Sequence, residues 1–164
     1  MIKIVLDTSV LVKGIFKPLR SLSAESYSRE LETHEKCKAL MKFLEERDIE
    51  VYVPKVCVVE TAAVARRLAS RTLAEKASNG IMKSYNIADE EAIFNTAWDL
   101  ALETGCSGFD SYFIALARKE EAMLLTDDSG MHHHAEGSRV DSILIKAAIS
   151  ERWSASWNET FRLE

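Results

Sequence analysis

Several acidic side chains stand where apolar segments of this chain give way to polar ones. They are Asp7, Glu60, Asp110 and the adjacent pair Asp127 and Asp128. In an open α/β sheet the carboxyl ends of the strands meet at one edge, and ligands bind there. Carboxylates that converge on one crevice repel each other unless a hard divalent cation neutralises them. The pattern therefore predicts a metal site in which like charges raise the pKa of at least one carboxyl group.

Metal-assisted hydrolysis of a phosphodiester bond is the reaction that such a site suits. A carboxylate-bound Mg²⁺ or Mn²⁺ activates a water, holds the scissile phosphate and stabilises the leaving oxygen. Because Mg²⁺ keeps several of its own waters, few protein ligands are needed. The predicted catalytic and metal-binding residues are Asp7, Glu60, Asp110 and Asp128, with Asp127 as a substitute for Asp128. The predicted substrate-binding residues are Thr8, Ser9, Thr126 and Lys13.

Each carboxylate also has a plainer structural interpretation. Asp7 and Asp110 both stand where a helix is predicted to begin, so either side chain could serve as a helix cap. Glu60 shares its predicted helix face with Val56, Ala63 and Val64, and this apolar face should point inward. A carboxylate there is costly without a cation or a hydrogen-bond donor. The alternative for Glu60 is a salt bridge to a basic residue of the same helix.

Strands and helices must alternate along the chain to position these residues. Strands are predicted at residues 3–6, 51–54 and 122–126, and residues 143–145 form either a final strand or the apolar face of a helix. Helices are predicted at 9–15, 33–47, 55–70, 72–84, 88–104 and 110–120. This alternation predicts an α/β fold in three layers, with a central parallel sheet between helices.

Two polar segments are predicted to lie outside these elements. Residues 17–28 are rich in serine and contain Pro18, which is typical of a loop or a mobile arm. The run His132 to His134 is interpreted as a solvated loop, since consecutive residues on a helix or strand do not share one face.

The composition limits the class of protein. A chain of 164 residues favours one domain, taken here as residues 1–164. The formal charge of −5 argues against a broad basic surface for nucleic acid, although a carboxylate site contributes to this charge. Three widely spaced cysteines are expected to be buried free thiols, which suits a reducing cytoplasm. No signal peptide and no membrane-spanning run are predicted.

Four short motifs give the chain a resemblance to the PIN domain family and, within it, to the VapC-type toxin ribonucleases. They are LDTSVL at 6–11, VPKVCVVE at 53–60, FDSYFIALA at 109–117 and LLTDD at 124–128. The last motif favours Asp128 over Asp127 as the metal ligand. The motifs lie in the family's order within residues 1–129, and residues 130–164 form a C-terminal extension. The aromatic residue usual in the family shortly after the fourth motif is replaced by the segment GMHHH at 130–134.

The resemblance implies a Mg²⁺- or Mn²⁺-dependent endoribonuclease in the cytoplasm, with RNA as the substrate. It also implies a homodimer and an antitoxin protein as partner. Apolar residues in the helices between Thr72 and Thr104, together with Trp153 and Trp157, are predicted to supply the dimer surface.

Two other functions compete with this one. A phosphoaspartate phosphatase or receiver domain could also use Asp7, but the phosphatase pattern needs a second aspartate two residues later, where this chain has Ser9. A PIN scaffold that binds protein or RNA without catalysis is the second alternative. The complete set of acidic residues argues against it.

Overall fold

Five parallel strands and seven α-helices form the part of the chain that the computed structural model describes, residues 2–47 and 49–148. The strands are β1 (Ile2–Leu6), β2 (Ile49–Pro54), β3 (Asn86–Ala88), β4 (Met123–Thr126) and β5 (Ser142–Leu144). The helices are α1 (Thr8–Ile15), α2 (Ala24–Glu45), α3 (Lys55–Leu68), α4 (Arg71–Ser84), α5 (Phe94–Thr104), α6 (Gly108–Glu120) and α7 (Ser129–Gly137). Single 3₁₀ turns lie at Glu90–Ala92 and Ile145–Ala147.

The strands are ordered β3-β2-β1-β4-β5, so β1 lies at the centre of the sheet. Its last three residues, Ile4, Val5 and Leu6, have no exposed surface. Helices cover the sheet, and α6 contacts β1, β2 and β4. This confirms the predicted three-layer α/β/α fold with a parallel central sheet. Since all strands run the same way, their carboxyl ends share one edge.

The prediction of a loop at residues 17–28 is wrong for the second half of that segment. Helix α2 begins at Ala24, where the Ser23 hydroxyl accepts a hydrogen bond from the backbone N–H of Ser26 (3.2 Å). The first turns of α2 have exposed polar residues and no apolar period, so the sequence pattern did not reveal them. The serine that suggested a loop is in fact the helix cap.

The prediction of a helix from residue 88 is also wrong at its start. Residues 86–88 form the short edge strand β3, and the following acidic turn supports another helix instead. The Glu90 carboxylate accepts a short hydrogen bond from the backbone N–H of Val56, in the first turn of α3. Pro54, at the cap position of α3, has no side-chain donor or acceptor to offer, so Glu90 supplies the cap from a distant segment.

The C-terminal part of the described chain differs from the prediction in one respect. The histidine run lies in helix α7 and not in a loop, because Asp128 caps that helix through Met131 N–H (2.9 Å). Residues 142–144 adopt the strand alternative as β5. The three cysteines are buried free thiols, as expected. Trp153 and Trp157 lie outside the described residues.

The described helices fall short of the length and hydropathy that a membrane-spanning helix needs. Throughout residues 2–47 and 49–148, each helix is too short or too polar to cross a bilayer.

Candidate metal centre

Asp7 is positioned by the register between β1 and β4. Leu6 pairs with Leu125, so Asp7 and Thr126 follow at the same level of the sheet. The backbone N–H of Asp7 continues the ladder by donating to Leu125 O (3.0 Å). Asp7 precedes α1, but its side chain makes no capping hydrogen bond to that helix. Asp7 thus occupies the N-cap position of α1, but no capping hydrogen bond engages its carboxylate.

Two hydroxyl groups donate hydrogen bonds to the Asp7 carboxylate. Thr126 Oγ1 donates to Asp7 Oδ2 (2.7 Å) and accepts from the backbone N–H of Asp128 (3.0 Å). Ser9 Oγ also donates to Asp7 Oδ2, through a short hydrogen bond, and accepts from Asp127 N–H (3.0 Å). Each hydroxyl thus connects the Asp7 carboxylate to the backbone that follows β4. This arrangement fixes the carboxylate relative to both strands.

The charge of Asp7 is poorly compensated. The residue is only 4% exposed. Among the described residues, no Lys, Arg or His lies within ion-pair distance of it. Burial raises the pKa of Asp7 from 3.8 to about 6, although the Ser9 and Thr126 hydrogen bonds oppose this rise. The Glu60 charge raises the pKa further as a lesser cause, so the main cause is desolvation and not the predicted like-charge repulsion.

Glu60 is anchored beside Asp7 by Thr8. Thr8 Oγ1 donates to Glu60 Oε2 at 2.6 Å, which joins the start of α1 to the middle of α3. Within the described chain no ion pair involves Glu60, so the salt-bridge alternative is wrong. The apolar face around Glu60 lines a pocket, whereas the core face of α3 consists of Cys57, Thr61 and Ala65. The helix face that carries Glu60 was predicted to point toward the core, but it points toward the pocket.

Asp110 and Asp128 form the other side of the site. The N-cap of α6 is Ser107 and not Asp110, and the Ser107 hydroxyl accepts from the backbone N–H of Asp110 (3.1 Å). The Asp110 carboxyl group also hydrogen-bonds back to Ser107, so it takes part in capping from the first turn of the helix. Partial burial raises the pKa of Asp110, and the nearby charge of Asp128 adds to this effect. Asp128 is exposed and caps α7.

Asp127 points away from this group. It is buried, with Lys13 Nζ 2.6 Å from Oδ2 and the backbone N–H of Lys146 2.9 Å from Oδ1. Its carboxylate is thereby paired with a cation and a donor inside the protein. Asp128 and not Asp127 lies on the pocket wall, which agrees with the register that favoured Asp128.

One pocket of about 990 Å³ brings the predicted acidic residues together. Its wall includes Asp7, Glu60, Asp110 and Asp128, from four different segments of the chain. In the described segments, no three His, Cys, Asp or Glu side chains are close enough together to enclose a metal ion. A Mg²⁺ ion that keeps several waters does not need such an enclosure. The buried, uncompensated Asp7 beside three further carboxylates therefore fits a hydrated divalent cation.

Comparison with known families agrees with this fold. The model of the PIN domain matches residues 4–137, which is most of the chain. The chain belongs to the PIN domain family. Members of this family are generally nucleases. A comparison with curated protein sequences gives no significant match.

Solved structures of similar fold include complexes with DNA. VapBC2 from Rickettsia felis, bound to a DNA fragment from its promoter, is 14% identical with a TM-score of 0.59; the match covers 87% of this chain and 98% of that chain. FitAB bound to the IR36 DNA fragment is 18% identical with a TM-score of 0.59, covering 91% and 99%. PAE2754 from Pyrobaculum aerophilum is 12% identical with a TM-score of 0.54, covering 87% and 84%.

The predicted substrate-binding residues of this PIN domain separate into two groups. Thr8, Ser9 and Lys13 line the pocket, although Lys13 also pairs with Glu30 (2.8 Å). Thr126 is fully buried, is absent from the pocket wall and bonds to Asp7. From this position Thr126 holds the Asp7 carboxylate and does not reach a substrate in the pocket.

Three residues in or near the site of this PIN domain were not predicted from the sequence. Arg29 lines the pocket because α2 begins earlier than predicted. Phe109 also lines it, although the sequence drew attention only to its neighbour Asp110. Glu90, which caps the helix carrying Glu60, lies 30 residues away in sequence and has no motif of its own. An earlier start for α2, marked by Ser23, was the one signal that could have identified Arg29.

Proposed function

We propose that this PIN domain is a metal-dependent endoribonuclease that hydrolyses RNA phosphodiester bonds at the pocket of Asp7, Glu60, Asp110 and Asp128. The observation that carries the proposal is the Asp7 carboxylate, which is buried at the carboxyl end of the central strand without a cationic partner. Three further carboxylates share its pocket. Such a constellation favours a divalent cation and a phosphodiester over an uncharged substrate.

The chain's own residues prepare this site in a defined way. Asp7 is held by Ser9 and Thr126, and Glu60 is held by Thr8, so these two carboxylates are positioned before substrate arrives. Asp110 and Asp128, which are more accessible, complete the set of candidate oxygen ligands. When bound, Mg²⁺ or Mn²⁺ would supply Lewis-acid activation of water and of the scissile phosphate.

Cleavage of single-stranded RNA in the presence of Mg²⁺ or Mn²⁺ tests the proposal directly. Asp7→Asn should lower the cleavage rate by more than about 100-fold, because substitutions of residues that merely support a metal site already cost 10- to 100-fold. Asp141→Asn is the matched control, since Asp141 is exposed and lines a different pocket. The control should cleave at the normal rate.

Chelation and thermal unfolding test whether cleavage depends on a metal ion. Chelation with EDTA should abolish cleavage, and added Mg²⁺ or Mn²⁺ should restore it. The same ions should raise the Tm of the native protein but not that of Asp7→Asn, since an ion that binds only the folded state stabilises it. RNA that is bound but not cleaved by the native protein would favour the scaffold alternative. Metal-dependent hydrolysis of a phosphomonoester without RNA cleavage would favour the phosphoaspartate alternative.

We also propose that the protein is the toxin of a toxin–antitoxin pair. The structures of VapBC2 and FitAB, each bound to DNA, support a partner protein for a chain of this fold. An antitoxin that blocks the pocket would inhibit cleavage. Co-expression of the neighbouring reading frame with this chain, followed by purification and a cleavage assay, tests this; an inactive complex is the expected result.

A homodimer is the third part of the proposal. Helix α5 carries Phe94, Trp98 and Leu102 at intervals of four residues, and they are 52%, 58% and 70% exposed. A row of large apolar side chains on one helix face is typical of an interface. Sedimentation at micromolar concentration should show a dimer, and Trp98→Glu should shift it to a monomer. A native protein that sediments as a monomer and cleaves at full rate would contradict the dimer.

A further inference from the structure

The ring of Phe109 is exposed at the pocket beside the carboxylates. It is 54% exposed, although it lies in the first turn of α6, and Phe113 one turn later is 1% exposed. Asp110, the next residue, lines the same pocket. Within residues 2–47 and 49–148, packing leaves more than half of this large aromatic side chain uncovered next to the predicted reaction centre.

Cationic side chains surround the same opening. Lys17, Arg29 and Arg67 are exposed and line the pocket, in a protein whose formal net charge is −5. Positive groups that border an acidic floor suit a chain of phosphates whose scissile member reaches the floor. An exposed aromatic ring within a cationic groove is the combination by which proteins bind single-stranded nucleic acid.

We propose that Phe109 is a stacking platform for one unpaired base next to the scissile phosphate. The inference rests on the proposed function, because it assumes that RNA occupies the pocket. In a duplex the bases stack on each other, and a ring at the pocket wall receives a base only when that base is unpaired. The ring is therefore a specificity-determining element that selects single-stranded segments and loops.

Binding measured in the Asp7→Asn background separates stacking from catalysis. The probes are short single-stranded RNAs that carry 2-aminopurine at one position each, since stacking on an aromatic ring quenches the fluorescence of this base. With Phe109 present, one probe position should be quenched on binding. Phe109→Ala should abolish the quenching and raise the Kd roughly 5- to 150-fold, the range for loss of one stacked base.

The choice of variants distinguishes a flat ring from a merely apolar side chain. Phe109→Trp should retain both quenching and affinity, whereas Phe109→Leu, which keeps apolar volume without a ring, should behave like Phe109→Ala. A duplex of the same sequence should bind more weakly and should not respond to Phe109→Ala. Because Phe109 is more than half exposed, all three variants should unfold at the Tm of the parent.

Several outcomes would overturn the proposal. Quenching and affinity in Phe109→Leu equal to those of the parent would show that no stacking occurs. Unchanged RNA binding in Phe109→Ala, together with weakened binding of a co-expressed partner protein, would assign the ring to a protein contact. If the quenching pattern is as expected but no RNA is cleaved with Mg²⁺ or Mn²⁺, the nuclease function fails while the stacking site stands.

Discussion

Asp7 and Asp127 are two aspartates with the same burial and opposite electrostatic situations. Each follows one of two adjacent parallel strands, and each is 4% exposed. Asp127 has Lys13 Nζ at 2.6 Å, whereas the Asp7 carboxylate receives hydrogen bonds from uncharged groups, among them the Ser9 and Thr126 hydroxyls. Neutral donors orient a carboxylate but do not cancel its charge.

The comparison shows that burial alone does not identify a functional carboxylate. A buried charge paired with a cation belongs to the structure of the protein, and removal of one partner is costly. A buried charge without a cation is unfavourable in the free protein and becomes favourable when a cation binds. We therefore assign the structural role to Asp127 and propose the metal-binding role for Asp7.

The largest expected effect concerns the pH dependence of Asp7→Asn. Because burial raises the pKa of Asp7 from 3.8 to about 6, the folded protein binds more protons than the unfolded chain between these values. Its stability must then fall as the pH rises through this window. The shift corresponds to about 3 kcal/mol. In EDTA, the free energy of unfolding of Asp7→Asn relative to the native protein should increase by that amount between about pH 3.5 and pH 7.

Urea unfolding of both proteins over this pH range provides the measurement. Parallel stability curves for the two proteins would show that the Asp7 charge is compensated after all. The proposed difference in charge compensation between Asp7 and Asp127 would then be wrong.

The next largest effect is expected for Asp127→Asn. The substitution leaves Lys13 without its closest anion, although Lys13 keeps Glu30 and some contact with water. We expect a loss of about 2 kcal/mol in the free energy of unfolding, less than for a fully buried pair. Asp128→Asn is the matched control, since asparagine also caps a helix well, and it should lose less than about 0.5 kcal/mol. Equal losses in the two variants would contradict the structural role of Asp127.

Thr126→Val tests the hydrogen bond by which the Thr126 hydroxyl supports the Asp7 carboxylate. Valine keeps the shape but cannot donate to Asp7 or accept from the backbone N–H of Asp128. The stability should fall by about 1 kcal/mol. Because the hydroxyl lowers the pKa of Asp7, the midpoint of the pH dependence should move upward.

Thr33→Val is the matched control, since Thr33 is also buried and its hydroxyl donates to Arg29 O in the same helix, far from Asp7 in the chain. It should leave the midpoint unchanged. A midpoint that does not move in Thr126→Val either would show that this hydroxyl does not stabilise the Asp7 charge.

The smallest effect is expected for Glu30→Gln. Glu30 is the second anion of Lys13, at 2.8 Å, but its side chain is 42% exposed. An ion pair so accessible to water should contribute less than about 0.5 kcal/mol, and the difference should vanish in high salt. A loss as large as that of Asp127→Asn would mean that Glu30 and not Asp127 balances the Lys13 charge.

The layered fold could be predicted from the amino-acid pattern, because β1 and β4 are nearly continuous apolar runs that only a sheet covered on both faces can bury. Strand β1 and strand β4 were predicted almost to the residue for this reason. Local pattern also placed Asp7 and Asp128 just after strands, Asp110 near the start of a helix and Glu60 on the apolar face of a helix. It failed at β3, which has three residues at the sheet edge, and at the start of α2, where polar exposed turns carry no apolar period.

The roles of neighbouring residues of the same type depend on contacts that form only in the folded chain. The motif at 124–128 favours Asp128 over Asp127 as the ligand but does not show what Asp127 does. Lys13 on α1 and the backbone of Lys146 hold the Asp127 carboxylate inside the protein, and Asp128 lines the pocket. Glu90 caps α3 only because β3 brings it next to Val56. Charge compensation depends on distances between groups that are far apart in the chain, and a sequence lists residues without those distances.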